Sequence, residues 1–118
     1  QIHPHTRRHN LGVINISPFG GNILGTGVVE GARYSYRDAS AEVEAAVTEI
    51  EQRVGSYGLD LPTAALAFSL ACPEIDVSVV GPTTIGELHE DVNALQVART
   101  FDAFDEIISP VEYPNDRF

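Results

Sequence analysis

The segment Gly81-Pro82-Thr83-Thr84 is the part of this chain best suited to holding a charged ligand. It leads from an apolar, β-branched run into a helical pattern. Such a turn presents free backbone N–H groups and the positive end of a helix dipole to an anion. Glu87 completes Thr84-x-x-Glu87, the spacing of a capping box. Other chemistry-bearing patterns are incomplete. GGNILGTG (Gly20 to Gly27) has the look of a phosphate loop, but Thr26 stands where the lysine is needed, so a flexible loop is expected. His89-Glu90 opens like a zinc-protease motif and fails at Asn93, which takes the place of the second histidine. His3, His5 and His9 lack a Cys or acidic neighbour, so a disordered end is expected there and no metal site. Cys72 reads as a small buried apolar residue at a helix end.

The elements that must position these groups follow from periodicity. Leu11–Ile16 (LGVINI) is short, apolar and β-branched and stops at Ser17-Pro18, the pattern of a strand buried on both faces. Gly20–Gly31 reads as a loop. From Ala41 onward, Val43, Ala46, Val47, Ile50 and Val54 fall at helical spacing, with Glu42, Glu44, Glu49, Glu51 and Arg53 on the solvated face. Gly55 and Gly58 end that helix. Pro62 suits a first helical turn, and Thr63–Ala71 reads as a short apolar helix closed by Pro73. Val77–Val80 (VSVV) is a second buried strand. Thr84–Ala98 reads as a helix with Leu88, Val92 and Leu95 inward, and Phe101, Phe104, Ile107 and Ile108 suggest one more. Two buried strands separated by helices make a βαβ pattern, so the strands should lie parallel and adjacent. Alone they cannot cover both faces, so the rest of the sheet must come from elsewhere.

Composition narrows the function classes. A net charge of −10, with arginines but no lysine, repels phosphate backbones and anionic membranes, leaving nucleic acid and membranes as poor partners. That balance fits a high-salt proteome as well as a GC-rich genome. No apolar run approaches the roughly 18 residues that cross a bilayer. The single cysteine excludes an internal disulfide and fits a reducing cytoplasm. The chain contains no methionine, so a processed, trimmed or incomplete chain is expected.

Read together, HNLGVINISPFGGNILGTG (His9 to Gly27) and LPTAALAFSLACPEIDVSVVGPTTIGELHEDVNAL (Leu61 to Leu95) resemble the last two strand–helix units of aldo-keto reductases. The tail IISPVEYPNDRF (Ile107 to Phe118) resembles the ends of the L-galactose and aldose dehydrogenase branch. The resemblance implies an α/β fold, with residues 1–118 as the C-terminal part of a single (β/α)8 TIM barrel whose earlier strands are the missing sheet partners. It implies hydride transfer between a nicotinamide and an aldehyde, ketone or sugar hydroxyl. The family's Asp, Tyr, Lys and His tetrad lies on earlier strands, and this chain has no lysine, so no catalytic residue is assigned and the chain alone should be inactive.

By the same resemblance, Ser17, Phe19 and Gly21 lie along the pyrophosphate and nicotinamide, while Gly81, Thr83, Glu87, Glu90 and Asp91 approach the adenosine. Ile16 stands where an aromatic often stacks on the nicotinamide and supplies only dispersion contacts. Asp91 stands where Asn is usual, and a carboxylate can only accept. Glu87 stands where NADP-preferring members tend to place a cation. A carboxylate there repels a 2′-phosphate and can accept from a ribose hydroxyl, which points to NAD over NADP. The capping role of Glu87 is compatible with this. The reading from a different class is a non-catalytic nucleotide-binding or scaffold module derived from the same fold.

Overall fold

A computed structural model describes residues 3–112. In chain order the elements are α1 (His3–His9), β1 (Ile14–Asn15), α2 (Ile23–Thr26), β2 (Arg33–Tyr34), β3 (Arg37–Asp38), α3 (Ala41–Ser56), α4 (Leu61–Ala71), β4 (Val77–Ser78), α5 (Ile85–Thr100) and α6 (Phe104–Ile108).

The two apolar runs pair in parallel, as the βαβ order predicts, with Ile14 opposite Val77 and Asn15 opposite Ser78. Both strands are shorter than their apolar runs, and neither is buried on both faces. Ile14, Ile16, Val77 and Val79 are exposed, Ile16 by 73%. The half-buried residues Val13, Asn15, Ser78 and Val80 alternate with them. On that side Asn15 Nδ2 donates to Ser69 Oγ of α4 at 2.7 Å, and Ser69 Oγ lies 2.8 Å from Ser78 Oγ. Helix α4 therefore holds both strands through a polar chain, and the apolar side has no cover among the described residues.

The helices form where their caps and apolar stripes allow. Ser40 caps α3, accepting from Val43 N, and Val43, Ala46, Val47 and Val54 are buried as their spacing predicts. Its end is set by Gly58 at φ 74°, with Leu59 N donating to Val54 O and Gly58 N to Gly55 O. That paired closure needs a left-handed residue, which glycine adopts without a Cβ penalty. Asp60 caps α4 by accepting from Thr63 N at 2.8 Å, and Pro62 occupies its first turn. Leu66 and Ala67 pack on Ala94 of α5, with Phe19, Val80, Val97 and Phe104 around them. Ile107 of the expected last helix, α6, packs against Val54 and Ala64.

Four further expectations about the fold need correction. Leu88, Val92 and Leu95 do not face inward. With Ile85 they form an exposed stripe, because the contact with α4 runs through the small residue Ala94 instead. Gly20–Gly31 is not simply a loop: Asn22 O accepts from Gly25 N and Thr26 N, starting α2, and Ile23 is fully buried. The histidine-rich start is helical rather than disordered. Leu11 N and Asn10 N close it onto Thr6 O and Arg7 O, while Arg7 pairs with Glu74 and His3 Nδ1 lies 3.7 Å from the same carboxylate. Cys72 is half-buried, because it caps α4 at the surface end of the helix. Residues 113–118 of the expected proline-containing tail lie outside the described residues.

An unanticipated hairpin, β2–β3, follows α2 with Arg33 opposite Asp38 and Tyr34 opposite Arg37. Its two central residues, Ser35 and Tyr36, have φ of 51° and 67°. Two left-handed residues are what the tight primed turns require, and neither Ser nor Tyr favours that region. No helix among the described residues is long and apolar enough to cross a membrane.

Candidate functional site

The segments leaving the C-terminal ends of β1 and β4 meet over the start of α4. Between them lies a cavity of about 400 Å³. From the β1 side come Phe19, Gly21, Asn22, Gly25 and Thr26. The β4 side supplies Val80, Gly81, Pro82, Thr83, Glu87, Glu90, Asp91 and Ala94, and α4 supplies Pro62, Thr63 and Leu66. Seven of the eight residues predicted from sequence thus share one wall-to-wall space. Ser17 does not line it; its N–H donates to Asn15 Oδ1 at 3.1 Å.

Local structure explains how the β1 side is held. Gly21 has φ 107° and bridges Tyr34, and a Cβ there would lie 2.7 Å from Arg33 O. Only glycine lets the hairpin approach this closely. Asn22 Oδ1 accepts from Arg33 N at 2.7 Å, and Ser35 N donates to Gly20 O at 3.3 Å. The unforeseen hairpin is therefore the buttress of the cavity wall.

On the β4 side the capping box is complete. Thr84 Oγ1 accepts from Glu87 N at 3.1 Å. Glu87 Oε2 accepts from Thr83 N at 2.5 Å, Thr83 Oγ1 at 2.9 Å and Thr84 N at 3.1 Å. These bonds, led by that from Thr83 N, hold the Glu87 carboxyl below its ordinary range. They also correct the expectation of free donors: the N–H groups of Thr83 and Thr84 already serve an internal anion. Glu87 Oε1 has no hydrogen bond to a described residue. Desolvation, and secondarily the Glu87 charge, raise the Asp91 carboxyl one helical turn away. The β4 side of the cavity is thus an acceptor-rich wall with little appetite for further negative charge.

Sequence reasoning missed Asn22, Thr26, Pro62, Thr63 and Leu66. Pro62 and Thr63 were legible as a helix start, but only the tertiary contact of α4 with α5 brings that start beneath the β4 turn. Asn22 and Thr26 sat in a stretch read as a flexible loop, although Asn followed by an apolar residue is a helix-start signal. No group of three or more His, Cys, Asp and Glu side chains among the described residues could hold a metal ion.

Set against known protein families, residues 1–109 match the Aldo/keto reductase family. The chain belongs to that family. Aldo-keto reductases are (β/α)8 barrels that act on carbonyl substrates and generally use NAD(P)H. No curated protein matches the chain. Its parallel β1–β4 pair with α4 and α5 is a small α/β piece of such a barrel. The cavity at the C-terminal ends of the strands lies where barrels of this kind place their sites. An apolar floor, a ring of small residues and acceptor side chains fit a nucleotide cofactor in size and chemistry.

Proposed function

We propose that this chain is the C-terminal, cofactor-binding portion of an oxidoreductase that prefers NAD to NADP and acts on an aldehyde, ketone or sugar hydroxyl. The observation that carries this reading is the convergence of Phe19, Gly21, Gly81, Thr83, Glu87, Glu90 and Asp91 on one cavity at the ends of two parallel strands. Phe19 and Gly21 would face the pyrophosphate and nicotinamide side, with Ser17 beyond the cavity towards the nicotinamide. Gly81, Thr83, Glu87, Glu90 and Asp91 would meet the adenosine. A nicotinamide cofactor, when bound beside these residues, would supply the hydride chemistry. The proton-transfer groups come from the remainder of the barrel, which also covers the apolar side of β1 and β4. The sugar-dehydrogenase branch is the proposed substrate class, and a soluble cytoplasmic setting suits the acidic surface.

Glu87 supports the NAD preference in two ways. Its carboxylate repels a 2′-phosphate, and it already occupies the N–H groups of Thr83 and Thr84 that such a phosphate would use. Oε1 remains open to accept from a ribose hydroxyl. In the full-length enzyme Glu87→Gln should therefore narrow the NAD-over-NADP ratio of kcat/KM, by about threefold to tenfold for a solvent-screened charge. Glu87→Arg should move it further. A ratio unchanged in Glu87→Gln would leave Glu87 as a capping residue and remove the basis for an NAD preference.

A further inference from the structure

Helix α1 divides its histidines and arginines between two faces. His3 and Arg7, one turn apart, meet Glu74: Arg7 pairs with one carboxylate oxygen, and His3 Nδ1 lies 3.7 Å from the other. His5 and His9 are also four residues apart, so they share a face, roughly opposite that anchored pair. Both are exposed, and their ring centres lie 4.5 Å apart. The helix is closed beside them, where Asn10 at φ 51° lets Asn10 N and Leu11 N donate to Arg7 O and Thr6 O. Anchoring on one face thus leaves two imidazoles presented together on the other.

Histidines at i and i+4 of a helix let one metal ion take a nitrogen from each. Bonds of about 2.0–2.1 Å to one metal put those nitrogens roughly 3 Å apart. Rings centred 4.5 Å apart reach that separation by rotation about χ2, with no change in the backbone. Neutral imidazole suits Zn2+, Ni2+ and above all Cu2+, which heads the order of divalent affinities. The sequence pointed away from a metal here for want of a Cys or acidic neighbour, which an imidazole pair does not need. No third His, Cys, Asp or Glu among the described residues completes the set, so water fills the remaining positions. Two fields favour a cation at this place: the net charge of −10 and the negative end of the helix dipole at His9. Arg8, three residues after His5, opposes them with one solvent-screened charge.

We propose that His5 and His9 form a two-imidazole site for a divalent transition-metal ion, tightest for Cu2+, with water completing its coordination. The bound ion ties consecutive turns of a seven-residue helix that is too short to be stable by itself. It stabilises α1 because it binds the helical form alone. The site shares no residue with the cavity described above, so the two readings stand or fall separately. The test is titration of the full-length protein with Cu2+, followed by calorimetry and electron paramagnetic resonance. The proteins compared are the parent, His5→Gln, His9→Gln, the double variant and His3→Gln. The parent should bind one equivalent with the signature of two coordinated imidazole nitrogens, and should take Ni2+ and Zn2+ there more weakly. Each single variant should weaken that equivalent by about tenfold or more. The double variant should lose it, and His3→Gln should keep it.

A second readout follows the helix itself: saturating Zn2+ should slow amide hydrogen exchange across α1 in the parent and leave the double variant unaffected. Both side chains are exposed, so the variants should keep the melting temperature of the unliganded parent. An equivalent of Cu2+ that survives the double variant overturns the proposal, as does one lost equally in His3→Gln. A spectrum with a single imidazole nitrogen, or exchange in α1 that Zn2+ leaves unchanged, overturns the chelate as well.

Discussion

The two small sheets of this molecule are built on opposite terms. The β1–β4 pair joins segments more than sixty residues apart in parallel, and its helix-facing side is held by Asn15, Ser69 and Ser78 while Ile14, Ile16, Val77 and Val79 lie open. A self-sufficient sheet–helix layer would put the apolar side against the helix. Here the helix-facing side mixes Asn15 and Ser78 with Val13 and Val80, while the wholly apolar side lies open, an arrangement compatible with the proposed place of these strands in a larger barrel. The β2–β3 hairpin is local, needs no distant partner, and carries its strain within its own turn at Ser35 and Tyr36. The difference teaches that the longer-range pair takes its stability from context. The hairpin lends stiffness to its neighbours Gly21 and Asn22.

The largest effect expected from this comparison lies beneath the parallel pair. Leu66→Ala should destabilise the protein by about 2–5 kcal/mol in denaturant unfolding, since the side chain is buried against Ala94. Ile16→Ser should change the 118-residue chain by less than about 0.5 kcal/mol and cost far more in the full-length barrel. Equal costs for Ile16→Ser in both settings would show that the open face is not a barrel interior.

The hairpin offers a smaller effect of opposite sign. Ser35→Asn with Tyr36→Gly supplies the residues that a left-handed two-residue turn favours, and should raise stability by about 0.5–1 kcal/mol. A thermal melt of the double variant checks this, and a loss of stability would mean that the exposed Tyr36 makes a contact worth more than the strain.

The smallest effect is a pair of opposed pH dependences where the parallel strands hand over to α5. Glu87 is held below its ordinary pKa in the fold, so its contribution is present above the unfolded carboxylate range and fades as pH falls through the lower folded value. Asp91 is raised, so its burial costs stability as pH climbs from the unfolded to the folded value. Asp91→Asn should therefore flatten the second trend and leave the first, as measured by unfolding from acid to neutral pH. If Asp91→Asn leaves the pH profile unaltered, its carboxyl is solvated rather than enclosed by the cavity.

How much was legible beforehand depended on where each element finds its partners. The parallel order of the two strands, α3 and its buried stripe, the start and end of α4, and the Thr84–Glu87 box were readable. The strand order follows from the βαβ succession, and the other features rest on spacing or capping within one short segment. The grouping of Phe19 and Gly21 with Glu87, Glu90 and Asp91 came from family resemblance, because no local rule joins residues so far apart.

Tertiary structure alone decided the rest. Which stripe of α5 faces inward was settled by the close approach of α4 at Ala94, a matter of side-chain size at one crossing. The hairpin escaped notice because its tip lacks the Asn-Gly signature that normally announces a tight turn, and Gly21 holds it in place from twelve or more residues away. Periodicity reports which residues seek burial, while the choice of what buries them belongs to packing between distant segments.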